Sequence, residues 1–187
     1  MSNFPVLDAQ TAPEASKAVL AKTQKGYGFV PNLYGVLAQS PAAVEAYSAI
    51  AAAYEKTDLN PVERQVVLLT ISAENACHYC VAAHSTVAQM VKAPPEIVDA
   101  LRQEKPLPDA KLDALRTFTL AVVKNRGWVD PAQLDAFYAA GYQPRHVLDV
   151  LTGLSLKTLS NYTNHIVETP LDEPFKPNAW SRTESAA

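Results

Sequence analysis

Asn60-Pro61-Val62-Glu63-Arg64-Gln65-Val66-Val67-Leu68-Leu69-Thr70-Ile71-Ser72-Ala73-Glu74-Asn75 is the stretch on which the fold turns. Taken alone, Val66-Val67-Leu68-Leu69 reads as a buried strand. It follows Asn60-Pro61, however, a capping residue directly before a proline suited to the first helical position. Val62, Val66, Leu69 and Ala73 then recur at helical spacing. The segment is expected to be a helix over 61–75. It is apolar nearly all round, so it belongs at the centre of a core or of an oligomer interface.

The same punctuation organises the rest of the chain. Ser40-Pro41 and Asp130-Pro131 repeat the cap-then-proline signature. Helices are predicted over 41–56, 76–92, 95–104, 109–126, 131–140 and 144–168, with shorter ones near 13–25 and 32–39. Leu112, Leu115, Thr119 and Val122 form one apolar stripe, and Val147, Leu151, Leu154 and Tyr162 another. Gly127 and Gly141 fall just past predicted helix ends, where a left-handed residue is wanted. No alternating strand pattern survives, and no repeat or linker divides the chain. The expectation is a single-domain, all-α helical bundle over 1–187 with its core motif at 61–92. A proline-bearing tail, 169–187, should wrap over the domain or a neighbouring subunit and then fray.

Composition narrows the function. With 48% hydrophobic and 19% charged residues in a chain of 187, a real core is possible. A net charge of −3 without a Lys/Arg cluster disfavours nucleic acid and anionic membranes as partners. The N-terminus has neither the basic region nor the apolar run of a secretion signal, and no apolar stretch approaches bilayer length. These features predict a cytoplasmic protein, where a pair of cysteines is more often redox-active or metal-binding than structural.

Both cysteines fall in Cys77-His78-Tyr79-Cys80-Val81-Ala82-Ala83-His84. On a helix, i,i+3 and i,i+4 neighbours share a face, so Cys77, Cys80 and His84 should meet. Two inert buried thiols are one reading. Zinc is another, with Cys77, Cys80 and His84 as ligands and His78, His146 or His165 as a fourth. Haem attachment is disfavoured because Val81 stands where CxxCH needs histidine, and the βαβ setting of thioredoxin-type proteins is missing. A reactive dithiol is the reading favoured here. A helix start near Cys77 would stabilise a thiolate there, His84 can exchange a proton with Cys80, and the second sulfur can trap an oxidised first as a disulfide.

A basic histidine is best oriented by a carboxylate. On a continuous helix, Glu74 falls on the face of Cys77, Cys80 and His84. Glu63 is a second candidate, although with Asn60 as N-cap it holds the capping-box position. Tyr79 is core packing or a hydroxyl link in the relay. His78 points away from the thiol face, and His146 and His165 read as caps or surface residues.

Residues Pro61 to His84 resemble the core of the alkylhydroperoxidase D-like proteins of the carboxymuconolactone decarboxylase superfamily. Gly28-Phe29-Val30-Pro31-Asn32-Leu33-Tyr34 is similar to the segment preceding that core in peroxidase-related members. The resemblance implies an all-α fold assembling as trimers or hexamers. It also implies antioxidant thiol peroxidase chemistry on organic or hydrogen peroxide, without a cofactor, with a protein or lipoyl-type dithiol as reductant. It further implies Cys80 as the attacking thiol, Cys77 as the resolving one and His84 as the proton relay. Two positions depart from the pattern: Gln65 stands where the relay glutamate is found, and Tyr79 where a histidine precedes the second cysteine. Glu74 or Glu63, with Tyr79, is then expected to rebuild the relay. Lactone decarboxylation is disfavoured, since members with that activity generally lack the CxxC pair. The alternative is a redox-responsive scaffold whose disulfide switches assembly with little turnover.

Overall fold

Ser40, Asn60 and Asp130 cap helices as their sequence context predicts, each followed by proline at the first helical position. In the computed structural model, which describes residues 4–182, the elements are α1 (Glu14–Tyr27), α2 (Asn32–Leu37), α3 (Pro41–Tyr54), α4 (Pro61–Glu74), α5 (His78–Met90), α6 (Pro95–Arg102), α7 (Ala110–Lys124), α8 (Pro131–Ala139) and α9 (Pro144–Val167). A short 3-10 turn, Glu173–Asn178, follows. The molecule is a single-domain, all-α bundle. The expected helices are present, most of them shorter by one to three residues at an end.

The opening segment is the hub. Every residue of α4 from Gln65 to Ala73 is buried, and α4 packs against α5, α6, α7 and α9. Val66 and Val67 are fully enclosed, so their β-branched side chains serve core packing, which overrides their weak preference for strands. Leu115, Thr119 and Val122 seat α7 on α4 as their spacing implies. Beyond α7, Phe118, Phe137 and Tyr142 stack in series and lock α8 to it. Gly141, at φ 95°, reverses the chain after α8 as expected of a glycine there.

The second expected stripe fares differently. Leu151 and Tyr162 of α9 are exposed, as are Leu148 and Ile166. The inward face of α9 is instead Val150, Gly153, Leu156, Lys157, Ser160, Asn161 and Asn164. Gly153 lets α9 approach α3 and α4 closely, since a Cβ there would lie 3.0 Å from both Tyr54 Cε2 and Val67 Cγ1. Gly153→Ala should therefore destabilise the fold by about 1–3 kcal/mol through overpacking, measurable as a lowered midpoint in urea.

The tail does wrap over the domain. Phe175 is buried edge-on against Phe29 and Tyr79. The Arg102 guanidinium donates to the Asn178 and Ala179 carbonyls, and Trp180 Nε1 donates to the Arg102 carbonyl. The expected fraying concerns residues 183–187, which lie outside the described residues.

Candidate active site

A break in the helix sets the geometry of the two thiols. Ala76 is left-handed, at φ 51°, and the Ala76 and Cys77 amides donate back to the Ala73 and Ser72 carbonyls. This is a Schellman closure built without glycine, at a cost of roughly 1 kcal/mol or more in backbone strain. Cys77 becomes the N-cap of α5, and Cys80 lies in its first turn. Both are free thiols, each 1% exposed.

The buried polar face of α9 completes their surroundings. Asn164 Nδ2 donates to Cys80 Sγ at 3.3 Å and lies 3.8 Å from Cys77 Sγ, while Ser160 Oγ is 3.7 Å from Cys80 Sγ. Lys157 is 1% exposed. Its Nζ lies 3.6 Å from Cys80 Sγ and donates to His84 Nε2 at 2.8 Å. Among the described residues no carboxylate pairs with it. A buried ammonium without a counter-charge costs several kcal/mol, and the sulfur of Cys80 is the group positioned to supply one.

The two thiols respond in opposite directions. Burial alone would push the Cys80 thiol up. The Cys77 S–H donated to it, the Lys157 charge and the neighbouring Ser160 and Asn161 side chains outweigh burial and hold it well below the ordinary thiol range. Cys77 is pushed up by that same donated hydrogen bond, by burial and by the adjacent Cys80 charge. Helix-dipole reasoning favours Cys77 as the thiolate, and the structure reverses it. A helix terminus is worth about 1 kcal/mol, whereas a unit charge about 4 Å away is worth roughly 4 kcal/mol at an effective dielectric near 20. The lysine on α9 decides.

His84 is a fixed, neutral ring. Burial and the Lys157 charge hold its imidazole well below the usual histidine range. With the ammonium at Nε2, its proton sits on Nδ1 and is donated to Gln65 Oε1 at 3.0 Å. Gln65 thus occupies the expected relay position as an uncharged orienting group.

The other expected site residues are committed elsewhere. Glu63 closes the capping box on Asn60, pairs with Lys111 at 2.9 Å and accepts from Tyr142. Glu74 belongs to α4, on the far side of the Ala76 break, and faces Lys124 at 3.6 Å. The continuous helix that would have brought Glu74 to the thiols does not exist. The Tyr79 hydroxyl donates to Asp172 Oδ2 at 2.5 Å and accepts from the Leu33 amide, so it anchors the tail instead of joining His84. His78 is exposed and meets Trp180 edge-on, and His146 caps α9 through Gln143. Glu74→Gln should accordingly leave the rate of Cys80 oxidation by peroxide within about twofold of the parent, followed by stopped-flow thiol loss.

A cavity of ≈ 60 Å³ adjoins the thiolate, bounded by Cys80, His84, Lys157, Tyr34, Tyr47, Tyr79 and Phe175 among others. It holds about two water-sized groups. A groove of ≈ 270 Å³ running between α1 and α3 shares Tyr27, Tyr34, Tyr47, His84 and Val87 with it. Among the described residues no three His, Cys, Asp or Glu side chains group as metal ligands, and His84 Nε2 faces an ammonium.

Lys157, Ser160 and Asn164 are the neighbours of the thiols that sequence reasoning missed. Their signal is nevertheless in the chain. Lys157, Ser160, Asn161 and Asn164 fall at i, i+3, i+4 and i+7, one polar face of a helix whose opposite face carries Leu148, Leu151, Tyr162 and Ile166. Either face can be the buried one by periodicity alone.

The carboxymuconolactone decarboxylase family matches residues 38–120 of the chain. No curated protein matches it. Among solved structures, a peroxidase-related protein from Ralstonia eutropha JMP134, described as an alkylhydroperoxidase AhpD core, is 25% identical with a TM-score of 0.82 over 93% of this chain and 94% of its own. A peroxidase-related protein from Silicibacter sp. TM1040 is 18% identical with a TM-score of 0.78, covering 92% of each chain. The debrominase Bmp8, in a cysteine-to-alanine variant bound to 2,3,4-tribromopyrrole, is 16% identical with a TM-score of 0.76 over 95% of this chain and 96% of its own. No helix among the described residues is long and apolar enough to cross a membrane.

Proposed function

We propose that this chain, which belongs to the carboxymuconolactone decarboxylase superfamily and has its alkylhydroperoxidase D-like, peroxidase-related fold, is a thiol-dependent peroxidase acting on organic or hydrogen peroxide. The observation that carries the reading is the Cys80–Lys157 pair. A thiolate is held by a buried cation at the wall of a small cavity, with a second thiol one turn away.

The chemistry follows from that arrangement. Cys80 sulfur attacks the nearer peroxide oxygen, the O–O bond breaks, and Cys80 becomes a sulfenic acid. The departing oxygen needs a proton, and the Lys157 ammonium beside the sulfur donates it. His84, held by Gln65, keeps that ammonium aimed. Cys77 then attacks the sulfenic sulfur, releasing water and closing the disulfide. A protein or lipoyl-type dithiol restores both thiols. The exposed apolar face of α9 (Leu148, Leu151, Tyr162, Ile166) supports homo-oligomerisation, for which the family resemblance implies a trimer or hexamer. The composition supports a cytoplasmic setting.

Stoichiometric peroxide should remove two free thiols per chain from the reduced protein, and dithiothreitol should restore them. Unchanged thiol counts would overturn the reading. Thiol loss accompanied by altered assembly but no turnover would favour a disulfide switch. The debrominase likeness supports a second reading: the Cys80 sulfur takes the bromine of a bromopyrrole while the ring carbon takes a proton. Attack by Cys77 on that S–Br sulfur then closes the disulfide and releases bromide. Ion chromatography after incubation with a brominated pyrrole separates the two.

A further inference from the structure

We infer that Lys157 is a second, intramolecular trap for oxidised Cys80, its amine closing a sulfur–nitrogen bond to give a sulfenamide. The inference rests on the oxidation of Cys80 by peroxide argued above. Its starting point is a change of charge. Before reaction, Lys157 sits 3.6 Å from a thiolate and has no carboxylate partner among the described residues. Oxidation removes the negative charge and leaves a buried ammonium facing a neutral sulfenic acid, the state that burial penalises most. Giving its proton to the departing alkoxide relieves that penalty. The product is a neutral amine next to an electrophilic sulfur.

The steps balance. Cys80–S⁻, ROOH and Lys157–NH3⁺ give Cys80–SOH, ROH and Lys157–NH2. The amine nitrogen then attacks sulfur, the S–O bond breaks, and water leaves with a nitrogen proton, giving Cys80–S–NH–Lys157. No further oxidant is consumed. Attack by the Cys77 thiol on that sulfur breaks the S–N bond, returns the amine and gives the same disulfide as direct resolution. The site favours nitrogen capture in three ways. Lys157 and Cys80 are each 1% exposed, the adjoining space is only ≈ 60 Å³, and His84 Nε2 holds the amine in place at 2.8 Å. The bond shields the sulfur from a second peroxide, which would otherwise carry it to the irreversible sulfinic acid.

Cys77→Ser isolates the event, because serine preserves a hydrogen-bond donor to Cys80 but cannot form a disulfide. Treated with one equivalent of tert-butyl hydroperoxide, this variant should become two hydrogens lighter without gaining oxygen. It should yield on digestion a cross-linked peptide containing Cys80 and Lys157, and revert with dithiothreitol. The double variant Cys77→Ser/Lys157→Arg should instead become one oxygen heavier and label with dimedone. A Cys77→Ser protein that gains oxygen and labels fully overturns the sulfenamide while leaving the peroxidase reading intact. Persistence of the lighter product in the double variant overturns it too, by assigning the capture to a backbone nitrogen. Unchanged mass in Cys77→Ser, with unchanged thiols in the parent protein, overturns the peroxidase reading itself.

Discussion

Cys80→Ser is expected to lose peroxide consumption by at least about a thousandfold, to the background of the solution reaction. A serine hydroxyl at that position cannot be ionised by the same surroundings, and the other thiol among the described residues is Cys77. That thiol is a poor substitute. Burial, which the variant keeps, suppresses its ionisation, and it has no lysine of its own at 3.6 Å. The fold should survive, because the change is small and Ser160 and Asn164 supply hydrogen-bond partners to the new hydroxyl. A coupled peroxidase assay beside a urea melt separates the two effects. Activity within tenfold of the parent would remove Cys80 from the reaction.

Lys157→Met should produce the second-largest effect, and its signature is in the pH profile. With the lysine present, the Cys80 thiol lies well below its usual value. The thiolate is therefore already formed at neutral pH, and the rate of the first oxidation is flat there, falling only as acid protonates the sulfur. Without the cation, burial regains control and pushes the thiol upward. The thiolate then forms only on the alkaline side, and the rate rises with pH through that range. A thiol restored to the ordinary value near 9 is about 1% ionised at pH 7, so the rate there falls by roughly a hundredfold. Loss of the proton donor adds to this. Stability should fall modestly, by about 1–3 kcal/mol, because His84 Nε2 loses its donor at 2.8 Å, while Cys80 avoids an unpaired buried charge by taking up a proton. A variant whose rate falls far more than its stability, with its ultraviolet thiolate absorbance displaced to higher pH, is the combined outcome. A flat profile at parental rate would overturn the role given to Lys157.

How far the sequence carried the reading depends on the range of the interactions involved. Asn60, Pro61 and Glu63 declare the start of α4 locally, and the structure repeats their capping box bond for bond. The helix order, the all-α class and the proximity of Cys77, Cys80 and His84 follow from spacing along single helices. The break at Ala76 does not. Alanine is the best helix former, and its left-handed conformation is imposed by the packing of α5 against α4, not by its own preference. That single residue removes Glu74 from the thiol face. Lys157 was hidden for a related reason. A polar face opposite an apolar one normally marks solvent, and α9 inverts the rule because its polar side chains face the thiols from a distant part of the chain. Gln65 was legible as a departure from the expected glutamate. Its meaning was not, because the charged group that meets His84 comes from Lys157, far along the chain.

The placement of that cation late in the chain bears on synthesis. Cys77 and Cys80 leave the ribosome before Lys157, Ser160 and Asn164 have been translated. Until α9 docks, both sulfurs are ordinary cysteines, largely protonated at neutral pH and slow toward oxidants. Nucleophilicity is thereby withheld from the nascent polypeptide and switched on by completion of the tertiary structure. On the peroxidase reading, the reacting sulfur is spared during the interval when the chain is least able to protect it.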